Sequence, residues 1–328
     1  MSAGQKKEDT AAGEQGIVCI GDSLTAGFGG GGRSYPAVLS ECLRKRAAEE
    51  GRIAPEVVNL GVNGEDTVTI LGRTGAVPFR LTEKLTVKPD GYPVPVSFAS
   101  PAGGEICPLV YGDAGLEKVW LTAPDGTEIG GRLTLEGGLF AGERYCFRAE
   151  EIRRPGGETE RFGGAAGAVF RGAEGVEFPA GTRIETAAAR RYRNYLPIAL
   201  MGANGQFETV DELMLQYRVL LSFYRAASGR CLVLGLHLGD TRFLKEEEEK
   251  FSAFFGRNFL DVRTYMCTEA LRDAGISPTE TDLEDMRAGR TPGSLLFDGL
   301  HFNSLGYELL GKLVYRRLSA PEGPEGEI

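Results

Sequence analysis

The stretch Ile17-Val18-Cys19-Ile20-Gly21-Asp22-Ser23-Leu24-Thr25 decides the fold. Four consecutive apolar residues bounded by a turn predict a short strand buried on both faces. A tight Gly-Asp-Ser turn follows, then Gly27 and the run Gly29 to Gly32. Ser34-Tyr35-Pro36 opens a helical pattern. Strand, turn and helix in that order begin a parallel α/β sheet, and such sheets hold ligands beyond the carboxyl ends of their strands. Ser23 stands at that end. The reading exposes its hydroxyl and leaves nearby backbone N–H groups free for an anion.

Outward from this turn the same pattern repeats. Val38, Leu39, Cys42 and Leu43 give the segment from Tyr35 to Glu49 a helical spacing. A second strand, Glu56 to Leu60, ends in Gly61-Val62-Asn63-Gly64. A third, Tyr195 to Met201, ends in Gly202-Ala203-Asn204-Gly205. A helix follows with Val210, Leu213, Met214, Tyr217, Leu220, Leu221 and Tyr224 on one face. The strand Cys231 to Leu236, a helix bearing the solvated acidic run Glu246 to Glu249, the short strand Asn258 to Val262 and a closing helix from Leu305 to Leu318 complete it. Strands alternating with helices predict an α/β fold with a parallel sheet covered on both faces.

Between these parts the helical period disappears. Short alternating runs at Lys84–Val87, Val94–Phe98, Lys118–Thr122, Arg132–Leu135 and Arg144–Phe147 are separated by turn sequences such as Pro89-Asp90-Gly91 and Pro124-Asp125-Gly126. Residues 72–191 therefore read as an inserted all-β domain, a small barrel or sandwich. It divides the α/β domain into residues 16–71 and 192–319. Residues 1–15 and 320–328, polar and rich in Gly, Pro and Glu, read as a disordered lead-in and tail.

Composition narrows the function classes. The chain has 328 residues and a net charge of −9, carried wholly by the parts outside residues 72–194. That balance argues against nucleic-acid binding. No run approaches ~20 apolar residues, so no membrane insertion is expected. The polar lead-in lacks the apolar run of a signal peptide and predicts a cytoplasmic protein. The six cysteines are widely spaced, which predicts free thiols and no metal site.

The chemistry rests on only two histidines, His237 and His301. A serine nucleophile needs a base, because its hydroxyl is un-ionised at neutral pH. Asp298-Gly299-Leu300-His301 supplies one, with a carboxylate three residues away to take the Nδ1 proton and fix the tautomer. Acyl transfer also needs donors for an oxyanion. The Ser23 N–H, the Gly64 N–H and the Asn204 side-chain amide all follow predicted parallel strands and so share one sheet edge. Arg73 at the start of the insertion and His237 after the fourth strand are candidate substrate contacts. Trp120, in an alternating strand, reads as packing.

Four blocks in chain order carry a resemblance: Gly21-Asp22-Ser23-Leu24, Gly64 after Asn59-Leu60-Gly61-Val62-Asn63, Asn204 after Gly202-Ala203, and Asp298 with His301. The chain resembles the SGNH hydrolases, the GDSL family of esterases and lipases. The resemblance implies a flavodoxin-like three-layer α/β/α sandwich, usually with five parallel strands. It also implies a Ser23-His301-Asp298 triad, an oxyanion hole of Ser23, Gly64 and Asn204, and no metal or organic cofactor. One position departs: Gly205 stands where the family often has aspartate. The Gly-x-Ser-x-Gly signature of the α/β-hydrolase fold is absent. The expected function is a serine esterase acting on a small-molecule or glycan ester, first an O-acetylated carbohydrate. A lipid ester or thioester hydrolase is the alternative, as is a carbohydrate- or protein-binding module on a weakly active scaffold.

Overall fold

In a computed structural model, Ile17–Ile20 lie within a fully buried strand, β1 (Gly16–Gly21). The structure describes residues 16–88, 92–104, 106, 118–136, 144–157, 159–161, 175–225 and 229–320. The expected disordered lead-in, residues 321–328 of the tail, Cys107 and the turn Pro89-Asp90-Gly91 lie outside these residues.

β1 is flanked by β2 (Glu56–Gly61) and β3 (Leu196–Leu200), followed outward by β4 (Leu232–Leu234) and β5 (Phe259–Leu260). All pairings are parallel, in the order β5-β4-β3-β1-β2. The protein is thus mixed α/β, with a five-stranded parallel sheet flanked by helices. The direction of travel reverses at β1. With right-handed crossovers, the helix between β1 and β2 takes one face and the later crossover helices take the other. Tyr35–Glu49 packs against the closing helix Ser304–Ser319, while Thr67–Thr74, Val210–Phe223 and Thr241–Phe255 pack in succession. The reversal leaves a crevice beyond the carboxyl ends of β1 and β3, where such sheets bind ligands.

Close contacts finish these strand ends. Val62 N–H donates to Gly21 O at 3.1 Å. The Asn59 amide donates to Thr25 O at 3.0 Å, and its Oδ1 accepts from Gly61 N–H at 2.9 Å. At the end of β3 the Tyr217 hydroxyl accepts from Met201 N–H and donates to Met201 O, at 2.8 and 2.9 Å. Backbone groups at the sheet edge are therefore paired before the chain enters the loops.

The segment after β2 departs from expectation. Thr67–Thr74 is a helix, not the threshold of a β region. Asp66 caps it, accepting from Thr69 N–H at 2.7 Å, and Gly75 ends it with φ 84°. Arg73, expected as a substrate contact, is fully buried within that helix. Its guanidinium binds Glu65 at 2.6–3.0 Å and donates to Leu60 O at 2.7 Å. It holds the loop after β2 from beneath, and substrate contact is excluded by its burial.

Antiparallel strands occupy residues 80–186, a shorter span than 72–191. Thr159–Arg161, Arg144–Arg153, Glu128–Glu136, Val119–Thr122 and Ile184–Thr186 follow one another in one sheet, and Val94–Pro95 also pairs with Arg144–Arg153. Among the described residues no pairing joins the two ends of this path into a barrel. Phe79, Val119, Phe147 and Phe178 centre a buried cluster separate from the one around the parallel sheet. Trp120 is only half-buried: Arg190 covers its ring at 4.0 Å, and its Nε1–H donates to Glu151 at 3.3 Å.

Among the described residues Cys19, Cys42, Cys146, Cys231 and Cys267 are unpaired. No helix among them is long and apolar enough to cross a membrane.

Removing one partner of a buried ion pair strands the other charge, at a cost of about 3–5 kcal/mol. Arg73→Met is expected to lower unfolding stability by about that amount in urea titrations, and Glu65→Met/Arg73→Met to recover most of it. A single-variant loss below about 1 kcal/mol would show that the pair does not hold the loop.

Candidate active site

The site is assembled from four loops. The first is the turn after β1. Asp22 accepts from Leu24 N–H at 2.9 Å and caps the short helix Ser23–Ala26, with Ser23 in its first position. Burial pushes the Asp22 carboxyl up to about 7, and the nearby Glu65 charge adds to that shift. Ser23 itself is buried, at 6% exposure.

The second is the turn Phe297–Phe302. Phe297 N–H donates to His301 O at 2.8 Å, and Leu296 bridges Phe302 across the turn. Within it, Asp298 Oδ1 accepts from the N–H groups of Leu300 and His301, at 3.0 and 2.8 Å. The carboxylate thus folds its own turn, as Asx residues do. Its other oxygen, Oδ2, lies 2.9 Å from His301 Nδ1, and His301 Nε2 lies 2.8 Å from Ser23 Oγ. The structure therefore brings the three sequence-expected residues into one hydrogen-bonded chain, although 275 positions separate Ser23 from Asp298 in sequence. The His301 N–H and then its ring hold Asp298 down to about 2, so the carboxylate is ionised at neutral pH.

The third and fourth loops follow β2 and β3. Gly64 is exposed, with φ 75°. Among the described residues nothing accepts the N–H of Ser23 or of Gly64 in a hydrogen bond. The Asn204 amide donates one proton to Glu65 O at 2.9 Å, which ties the two loops together and leaves its second proton available. Thr67 adds a second tie, donating from its hydroxyl to Gly205 O at 3.1 Å. These are the three donors expected for an oxyanion. The glycine at 205 does not leave its loop unsupported, because Thr67 holds its carbonyl.

His237 is not at the surface of the crevice. It is 1% exposed and stacks on Phe302, with ring centroids 4.0 Å apart. Its Nδ1 lies 3.2 Å from Thr291 Oγ1. Burial, and then the proximity of His301, push its pKa down to about 3. The expected substrate contact is therefore replaced by a neutral packing role beneath the residue that follows His301.

Three further residues shape the site without having been singled out. Tyr307 donates from its hydroxyl to Phe28 O at 2.9 Å, joining the closing helix to the serine turn. Glu65 supplies both the carboxylate for Arg73 and the carbonyl for Asn204. Phe28 lays its ring against His301, with centroids 4.6 Å apart. The capping residue Asp66 three positions before Thr69 was the readable signal for the helix that carries Arg73. Nothing in sequence spacing pointed to Phe28.

Among the described residues no group of three or more His, Cys, Asp and Glu side chains is arranged to hold a metal ion. Comparison of the chain with protein-family models, with curated proteins and with solved structures finds no significant match.

A histidine with a depressed pKa binds fewer protons folded than unfolded. His237 thus contributes stability above the ordinary histidine pKa of about 6.5, and that stability is lost as pH falls toward 3. In urea titrations from pH 6.5 to 4, His237→Phe, which keeps the stack on Phe302, is expected to show a shallower acid loss than wild type. The difference in slope approaches about 1.4 kcal/mol per pH unit. Parallel pH profiles for the two proteins would contradict the buried neutral state.

Proposed function

We propose that this protein is a serine ester hydrolase working through an acyl-enzyme, of the SGNH type, with an inserted β domain formed by the antiparallel strands. The observation that carries the reading is the Ser23–His301–Asp298 chain, at 2.8 and 2.9 Å, at the carboxyl end of β1, with the N–H groups of Ser23 and Gly64 unbonded among the described residues.

The arrangement suits the following chemistry. Ser23 Oγ attacks the ester carbonyl carbon as His301 Nε2 takes its proton. Asp298 keeps Nδ1 protonated and stabilises the imidazolium. The carbonyl oxygen becomes an oxyanion and receives hydrogen bonds from Ser23 N–H, Gly64 N–H and the Asn204 amide. His301 gives its proton to the alcohol oxygen as the carbon–oxygen bond breaks. Water then attacks the acyl-enzyme, losing its proton to His301. The acid leaves and Ser23 regains its hydrogen. Asp22 and Glu65 are the sequence neighbours of Ser23 and Gly64. Burial raises both carboxyl groups, and the Arg73 charge opposes that shift at Glu65.

Turnover of p-nitrophenyl acetate and butyrate by wild type and Ser23→Ala tests the reading. Wild type is expected to hydrolyse at least one ester and to take up one equivalent of a fluorophosphonate. Ser23→Ala should lose labelling and at least about 1,000-fold of the rate, as nucleophile removal does elsewhere. Equal, near-background rates and equal labelling in both proteins would overturn it.

A further inference from the structure

Nine large apolar side chains are exposed among the described residues, and three of them lie on the loops that carry Ser23 and His301. Phe28 is 45% exposed, Phe297 62% and Leu300 46%. Single exposed apolar residues are ordinary, whereas a group of them at a polar crevice marks a surface that meets a ligand. Phe28 touches the His301 ring, and the Phe297 ring meets Phe28 at 81°, with centroids 6.3 Å apart. That edge-to-face contact is a favoured aromatic geometry.

The backbone holds this wall in place. Phe28 N–H donates to Ser23 O at 3.1 Å, and Tyr307 donates to Phe28 O. Gly29 then passes directly over the second loop: a Cβ there would stand 2.8 Å from Phe297 Cβ, and its φ is +83°. Only glycine lets the two loops approach so closely, so the aromatic pair exists before any ligand arrives.

The chemistry of the site fixes which half of an ester meets this wall. His301 Nε2 must reach the leaving oxygen to return the proton. The alcohol half therefore departs along the His301 ring, where Phe28 lies, while the oxyanion faces Gly64 and Asn204. Resting on the serine-hydrolase reading, we propose that Phe28, Phe297 and Leu300 form the alcohol subsite, and that the alcohol presents an aryl or alkyl face. The three side chains offer no hydrogen-bond partner. Sugar hydroxyls pressed against them would lose water without replacement. An apolar group gains by the same burial.

The test uses acetate esters of primary alcohols that share one acyl-enzyme, so that kcat/KM ratios report the alcohol alone. The esters are benzyl acetate, hexyl acetate, 2-methoxyethyl acetate and the 6-O-acetyl ester of methyl glucoside. Wild type is expected to prefer benzyl acetate to the acetylated glucoside by about tenfold or more, the discrimination a small apolar contact supplies. In Phe297→Ser/Leu300→Ser, and separately in Phe28→Ala, that ratio should fall toward one, with circular dichroism confirming the fold. A wild-type ratio at or below one, or a preference retained in both variants, overturns the proposal while leaving the esterase reading intact. Absence of Ser23-dependent hydrolysis of every ester, p-nitrophenyl acetate included, overturns both.

Discussion

The Glu65–Arg73 ion pair is the constraint on which the candidate site depends. Both side chains are essentially removed from solvent, at 1% and 0% exposure. Such burial is tolerable only because the guanidinium is used from several sides: two carboxylate oxygens and the Leu60 carbonyl converge on it. The pair does more than neutralise itself. It sets the height of the Glu65 backbone, whose carbonyl receives the Asn204 amide, and Glu65 is the residue after Gly64. Two of the three candidate oxyanion donors thus take their positions from one buried charge pair. Of the loop Gly61–Gly64 only Val62 is buried, and the ion pair supplies support that the two glycines cannot.

The two histidines show how environment divides roles between identical side chains. His301 lies at the edge of the crevice with an ionised carboxylate on Nδ1 and a hydroxyl on Nε2, so its charged form has a ready partner. His237 sits below it without a carboxylate, stacked on Phe302, and its charged form is penalised by desolvation. His237 therefore stays neutral at neutral pH. It keeps Phe302 in place, and through it the turn that carries His301. Keeping His237 neutral also matters electrostatically, since a second cation beneath the imidazole would oppose formation of the imidazolium.

Much of this was legible in the sequence, for identifiable reasons. The Ile17–Ile20 run, the helix opened by Ser34-Tyr35-Pro36 and the closing helix were read closely because local signals and tertiary burial agree there. Ser23, Gly64 and Asn204 were legible because each follows a parallel strand, and Asp298 with His301 because the Asp-x-x-His spacing sets a carboxylate beside one of only two histidines. The helix Thr67–Thr74 was missed because Thr67-Val68-Thr69-Ile70 strings together β-branched residues, which favour strands. The Asp66 cap and the burial of the whole helix override that preference. Arg73 and His237 were assigned to the crevice from chain position alone. Position along a strand or helix does not reveal which way a side chain points, and both point into the interior. Phe28 carried no periodic signal, since it lies in a glycine-rich turn and its importance comes from packing against a residue 273 positions away.

The antiparallel segment is tied to the same constraint. The chain leaves the parallel sheet through the helix Thr67–Thr74 and returns at Thr186. The Thr186 hydroxyl donates to Arg73 O at 2.8 Å and also accepts from Ala189 N–H, capping the helix Ala187–Arg191. Exit and re-entry therefore meet at the residue that holds Glu65. A large excursion between two such close points adds little loop-closure entropy to the α/β fold, because closure cost grows only slowly with length. Arg73 O, near the carboxyl end of its helix, accepts a hydrogen bond from the Thr186 hydroxyl, so the outgoing helix and the returning strand share one seam. Through this seam the antiparallel segment connects to the site, since Arg73, Glu65 and Asn204 are linked by successive hydrogen bonds. Further along, Gly104 lies against the Gln206 side chain, and Gln206 has a φ of 70°, the only positive value at a non-glycine residue among those described. The antiparallel segment thus meets the Asn204 loop directly as well as through Arg73, so its packing bears on the donor side of the crevice, and the aromatic wall beside His301 stands on loops held by the closing helix instead.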